Sequence, residues 1–245
     1  MITLNDYLYS GDTVLRILKK YIADLRISAV QKHNEVDLVH CNFLIQIMKL
    51  LEHNDFLTSQ SQKIREFYKY MAQEYPYLSF TFKGRIKSLI RAEGKFNGYI
   101  VEYIYDYYEK NGSYPSVSEI KERLNCFRDL IAYRIVISMP RCHLKQKQDR
   151  KKEEIRYLYR IANVLPQFLE ERGFTAEPTG GVKRSNSLLL DGAVRPYYRD
   201  YIDGESTNSY RSLHITFFDN SARCYMEMQL RTKEMDDIAE IGVAN

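Results

Sequence analysis

At 245 residues the chain is long enough to bury a full core, as one α/β domain with helical decoration or as two smaller units. With 44% apolar and 28% charged residues it reads as an ordinary folded protein and not a disordered one, and its net charge of +4 suits a polyphosphate ligand without requiring nucleic acid. Cys41, Cys126, Cys142 and Cys224 are too scattered for a zinc knuckle or redox pair, and no stretch approaches the ~18–20 apolar residues of a membrane span. No basic head leads into an apolar run, so reduced thiols and a cytoplasmic location are expected.

Between residues 13 and 51 apolar side chains recur at helical intervals (Leu15, Leu18, Ile22, Leu25, then Phe43, Ile47, Leu51), with a break near Asn34 and Glu35, which predicts two helices. A third follows over 59–75, after a turn at Asn54 and Asp55. Helices are also predicted over 83–95 and 98–110, the latter stopped by Asn111 and Gly112, and over 116–125. The pattern then changes. Residues 128–137 are short, β-branched and apolar, ending before Pro140, and read as a buried strand with Asp129 at its leading end. A cationic stretch over 141–152 reads as a loop or helix start, and 153–172 as an amphipathic helix stopped by Gly173. Strands are predicted over 174–179, 187–190, 212–218 and 224–232, with a closing helix from Met235. Helices first and strands later place the chain in the α+β class.

Three constellations carry chemistry. Lys87, Arg91 and Lys95 are spaced to form one cationic ridge on a helix, after Arg85; the ridge is either a solvated basic face or a polyphosphate site. Asp129 and Glu227 stand on separate predicted strands; together they make a hard-oxygen site for Mg²⁺, or else two salt-bridged acids. On the 224–232 strand Tyr225, Glu227, Gln229 and Arg231 share one face, with Cys224, Met226, Met228 and Leu230 on the other. Finally, Arg199, Asn208, Tyr210, Arg211 and His214 form a polar segment in which a tyrosine ring can stack on a nucleobase and arginines can meet phosphates; packing tyrosine and structural histidine are the alternatives.

In this order the segments resemble the synthetase domain of RelA/SpoT-type alarmone synthetases. The resemblance runs from Arg85, Lys87 and Lys95, through Asp129 in Asp-Leu-Ile-Ala-Tyr-Arg and Asp-Tyr-Ile at 200–202, to Ser-Leu-His at 212–214 and Glu-Met-Gln-Leu-Arg-Thr at 227–232. It covers roughly residues 82–245 and implies two regions, a helical N-terminal one over 1–80 and a synthetase domain over 81–245 built on a mixed β-sheet of nucleotidyltransferase-like type flanked by helices. The implied activity is GTP pyrophosphokinase: transfer of pyrophosphate from ATP to the 3′-hydroxyl of GDP or GTP, giving (p)ppGpp and AMP. By the same resemblance Asp129 and Glu227 are catalytic and hold Mg²⁺, Arg85, Lys87 and Lys95 bind ATP, and Arg199, Asn208, Tyr210, His214, Gln229 and Arg231 bind the acceptor; Arg91, on the cationic ridge, joins the ATP set and Arg211, in the polar segment, the acceptor set by their own charge and spacing.

The chain also departs from that family. Ser206 stands where the acceptor loop usually has lysine, beside Glu205, and Ile86 and Arg91 replace a usual proline and small serine. The changed loop keeps two further readings open: transfer to tRNA or an adenosine nucleotide, and a catalytically silent nucleotide sensor. No His-Asp dipeptide occurs, since His53 is followed by Asn54, so hydrolysis by the family's His-Asp route is not expected. A small stand-alone synthetase, able to form homo-oligomers, is the form the resemblance implies.

Overall fold

The computed structural model describes residues 14–52, 54–86, 89–124, 127–144, 149–181, 184–203 and 209–241, with backbone alone at a few positions, Arg85 among them. Lys87, Asn208, Ser206 and His53 lie outside the described residues, as do residues 145–148 of the cationic stretch 141–152. Contacts divide the chain into two units: residues 1–58 with 87–127, and residues 59–86 with 128–245. The boundary expected near residue 80 instead falls within a strand of the second unit.

The first unit is helical, as the 3.6-residue periodicity requires. Helices α1 (Val14–Gln31) and α2 (Glu35–Glu52) pack together through Leu18, Leu25, Phe43, Leu44 and Ile47. The break between them is where Asn34 suggested it. His33 adopts a left-handed backbone (φ 50°), and the Asn34 side-chain oxygen caps α2 by accepting from the backbone N–H groups of Val36 and Asp37. Helix α3 (Asn54–Glu74) runs mainly in the second unit and leads to strand β1 (Ser79–Ile86). The first unit resumes with α4 (Leu89–Phe96), a π-turn over Asn97–Val101, α5 (Glu102–Asn111) and α6 (Val117–Leu124). Gly112, at φ 64°, ends α5 with its N–H on the Tyr108 carbonyl.

The start of the helix expected over 83–95 is the first correction. Lys83, Gly84 and Arg85 belong to β1, whose period-two Phe80 and Phe82 meet Tyr68 edge-on. Charge spacing read along one segment could not show the partner that makes this stretch extended, which is strand β2 (Ile131–Ser138). Gly84 is required there: a Cβ would lie 2.9 Å from the Tyr133 ring of β2.

The second unit continues with α7 (Arg150–Glu170), β3 (Phe174–Glu177), β4 (Tyr198–Asp200), β5 (Leu213–Asp219), β6 (Cys224–Thr232) and α8 (Lys233–Glu240). The sheet order is β1-β2-β6-β5-β3, with β4 also paired to β5; only β2 and β6 are parallel. This is the mixed sheet with flanking helices of the α+β class. The strand expected over 187–190 is instead a turn, because Ser187 Oγ accepts from the Leu189 N–H and Leu188 points outward, 90% exposed.

One face of the sheet is apolar. Ile135, Ile137, Met226, Met228, Leu230, Leu213, Ile215 and Phe217 are fully buried there, as are Leu158, Ile161, Leu165 and Leu169 of α7, which contacts β2, β3 and β6. Pro166 lies inside α7, and having no N–H it leaves the Ala162 carbonyl without its helical donor. The buried Tyr198 hydroxyl fills that place at 2.7 Å, while Tyr159 of α7 donates to Asp200 at 2.8 Å. Helix α7 therefore pins β4 on both sides of Arg199, whose register partner on β5 is His214.

Candidate functional site

The opposite face of the same strands is polar, and its rows follow from register. One row is Lys83, Arg134, Gln229, His214 and Arg199; its neighbour is Arg85, Ala132, Glu227 and Thr216. The alternation expected for 224–232 is thus present, yet the polar side is no solvent face: Glu227, Gln229 and Arg231 are all buried.

Burial forces these groups to satisfy one another. Glu227 Oε1 accepts from Gln229 Nε2 at 2.6 Å and faces His214 Nδ1 at 3.3 Å, while Oε2 accepts from Arg199 Nη2 at 2.7 Å. Arg199 Nη2 also reaches Thr216 Oγ1 at 3.3 Å. Arg231 Nη2 donates to Gln229 Oε1 at 3.0 Å and to the Tyr210 hydroxyl at 2.6 Å, and that hydroxyl lies 2.8 Å from His214 Nε2. Glu227, His214, Tyr210, Arg231 and Gln229 therefore close a ring of hydrogen bonds. Arginine can only donate, so a consistent assignment has Tyr210 donate to Nε2 and His214 donate from Nδ1 to Glu227. Burial pushes the Glu227 carboxyl up, but His214, Gln229 and Arg199 together outweigh it and hold the group well below the usual carboxylate range.

Tyr201 adds an aromatic wall, its ring 4.9 Å from His214 and edge-on to Tyr210 at 5.7 Å. Behind it, Asp200 Oδ1 accepts from the N–H groups of Ile202 and Asp203, which turns the chain out of β4. Arg231 lies 4.8 Å over the Tyr210 ring and is 2% exposed, so it braces the tyrosine from within the fold. Arg211 is exposed.

A second acid organises the other end of the row. Asp236, on α8 and capped into place by Thr232, takes Lys83 Nζ at 3.1 Å, Arg134 Nη1 at 2.8 Å and Arg231 Nη1 at 3.4 Å; Arg134 also pairs with Glu240. Burial raises its pKa, but these three cations outweigh burial and hold it below the usual carboxylate range. Beside them a cleft of about 270 Å³ is lined by Lys83, Gly84, Ala132, Tyr133, Arg134, Gln229 and Glu240. Lys83, Arg134 and Tyr201 lie within the sequence motifs but, like Asp236, were given no site role from sequence. Arg134 carried a readable signal, being two residues from Ala132 on a strand and hence on its face, but only pairing to β6 shows that this is the face of Glu227.

Of the remaining expected residues, Asp129 sits half-buried in the loop leading into β2. Arg91 and Lys95 are carried by α4 in the first unit, where Lys95 Nζ lies 5.8 Å from the Tyr99 ring. Among the described residues no three His, Cys, Asp or Glu side chains cluster as a metal site. Asp129 and Glu227 are hard oxygen donors, and Mg²⁺ commonly takes one or two carboxylates with the rest from water and phosphate, so the donor set suits it. The outward oxygen of Glu227, however, is held by Arg199.

Fold and site together define an α+β protein with a buried, cation-rich polar network on one sheet face and a cleft at its β1–β2 end. Residues 187–245, about a quarter of the chain, match the family model described as a region found in RelA / SpoT proteins. Proteins named GTP pyrophosphokinase rsh, from Brucella ovis and Brucella abortus, are 51% identical over 47 residues, 19% of this chain and 6% of theirs. The chain thus spans only a small part of the curated relatives it matches. The small alarmone synthetase 1 of Bacillus subtilis aligns over 77% of both chains at 13% identity and a TM-score of 0.33. No helix among the described residues is long and apolar enough to cross a membrane.

Proposed function

We propose that the protein is an ATP-dependent pyrophosphokinase that moves the β,γ-pyrophosphoryl group of ATP onto the 3′-hydroxyl of GDP or GTP. The observation that carries this reading is that the RelA/SpoT region contains Arg199, Tyr210, His214, Glu227, Gln229 and Arg231, and that the fold ties these side chains into one network. In the transfer, the bond between the β-phosphorus and the oxygen bridging to the α-phosphorus breaks. A new bond forms to the ribose oxygen, AMP leaves with the bridging oxygen, and the hydroxyl proton is released.

Such chemistry depends on positioning and charge neutralisation more than on covalent catalysis. Lys83 and Arg134, paired with Asp236 and Glu240, line the cleft and are the cations it offers a polyphosphate, and Arg85 follows Lys83 by two residues on β1. Tyr210, flanked by Tyr201, offers a ring to the acceptor base, and Arg199 a guanidinium to its phosphates. Mg²⁺ held by Asp129 and Glu227 would neutralise charge on the transferring group. Glu227, kept strongly acidic by its neighbours, serves by orientation and charge and not by taking up a proton. A cytoplasmic location belongs to the same proposal.

The test is incubation with Mg²⁺, γ-labelled ATP and, separately, GDP, GTP, an adenosine nucleotide and tRNA. Label should move to the guanosine nucleotide with an equal yield of AMP. Transfer to tRNA or adenosine instead would reassign the acceptor, and nucleotide binding without any transfer would make the protein a sensor.

A further inference from the structure

We propose that Arg199 is a shared cation: at rest it closes onto Glu227, and a diphosphate-bearing acceptor draws its guanidinium away and frees the outward carboxylate oxygen. This deepens the acceptor reading above and rests on it.

The two oxygens of Glu227 are not equivalent. Oε1 is filled from within the sheet by Gln229 and His214, whereas Oε2 meets Arg199, so a change of partner falls on Oε2. The cations of this face are not equivalent either. Arg231 is 2% exposed and Arg134 11%, both tied to Asp236, while the Arg199 side chain is 30% exposed against 7% for Glu227. An anion arriving from solvent therefore reaches Arg199 ahead of Arg134 and Arg231.

The backbone of Arg199 is fixed, since Tyr198 and Asp200 are anchored to α7 on either side of it. Movement is left to the side chain, whose second contact, to Thr216 Oγ1, is long at 3.3 Å. A diphosphate offers the planar guanidinium pairs of charged oxygens of the kind arginine binds in a fork. The consequence is a competition: without a divalent cation, Glu227 and the acceptor contend for one guanidinium, and each weakens the other's hold on it. Arg199 is thereby a positioning residue for Glu227 as well as a contact for the acceptor.

The experiment is calorimetric titration of the full chain, in buffer containing EDTA, with GDP and separately with inorganic pyrophosphate. Glu227→Gln should tighten binding about tenfold and Arg199→Gln weaken it about tenfold, with Arg199→Lys between wild type and Arg199→Gln. Adding Glu227→Gln to Arg199→Gln should change affinity by less than about twofold, because the competition has lost its object. Thermal melts of each variant control for folding. If Glu227→Gln binds no more tightly than wild type, or tightens binding equally without Arg199, the exchange is overturned and only bulk charge is at work. Pyrophosphate obeying this order while GDP does not bind keeps the exchange and overturns the guanosine acceptor. GDP binding without the order does the reverse, and no binding of either ligand to wild type overturns both.

Discussion

Two buried carboxylates share the polar face of the sheet, and they are built for different ends. Asp236 gathers three cations from three strands and is enclosed with two of them, Arg134 and Arg231. Glu227 has one oxygen enclosed in the same way and the other on a guanidinium that reaches solvent. The contrast separates a charge that organises the fold from one placed where its partner can change, although both carboxyls are held below their ordinary range by the same physics.

The hardest way to break the comparison is Asp236→Ala. It leaves the buried Arg231 without its anion and the part-buried Arg134 with Glu240 alone, a loss of about 3–5 kcal/mol for a buried pair stripped of one partner. Urea unfolding should show the midpoint falling accordingly. Glu227→Gln keeps one acceptor oxygen and sets an amide NH2 against the donors on the other side, so it should cost about 1–3 kcal/mol by the same measurement, less than Asp236→Ala.

A pH titration sharpens the contrast by setting both acids against a buried base in the first unit. His40, stacked on Phe96 at 4.2 Å with Nε2 buried, is pushed down to about 4 from 6.5 by burial. A depressed histidine contributes stability that is complete above pH 6.5 and lost as pH falls toward 4, roughly 3 kcal/mol in all. The two carboxyls, also depressed, keep their contribution down to their unfolded values of 4.5 and 3.8 and lose it only below. Circular dichroism should therefore show stability falling between pH 6.5 and 4 in wild type. His40→Phe should flatten that limb while leaving the decline at lower pH, and an unaltered limb would count against the assignment.

Smaller effects come from the supports. Tyr198→Phe leaves the Ala162 carbonyl beside Pro166 without a donor and should lose about 1–3 kcal/mol in urea unfolding, the cost of a buried orphan acceptor. Tyr210→Phe opens the ring between His214 and Arg231 at a partly exposed point and should lose about 0.5–1.5 kcal/mol. If Tyr210→Phe proved the more costly of the two, the polar ring and not the α7 anchor would be what holds this edge of the sheet.

The α1–α2 pair, its turn at Asn34, strand β2, the 224–232 strand and the two-faced alternation around Glu227 were legible in the sequence. Each rests on a local rule, a helical or period-two repeat or a capping side chain, acting within a few residues. Resemblance carried the reading of Arg199, Tyr210, His214 and Gln229 as one site, and the fold does bring these four together. Tertiary structure alone decided that Lys83–Arg85 is a strand, that Arg134 and Asp236 belong to the polar face, and that Glu227 rests on Arg199. The reason is physical: register between strands distant in sequence selects which charges meet, and burial then obliges each of them to find a partner that no local pattern names.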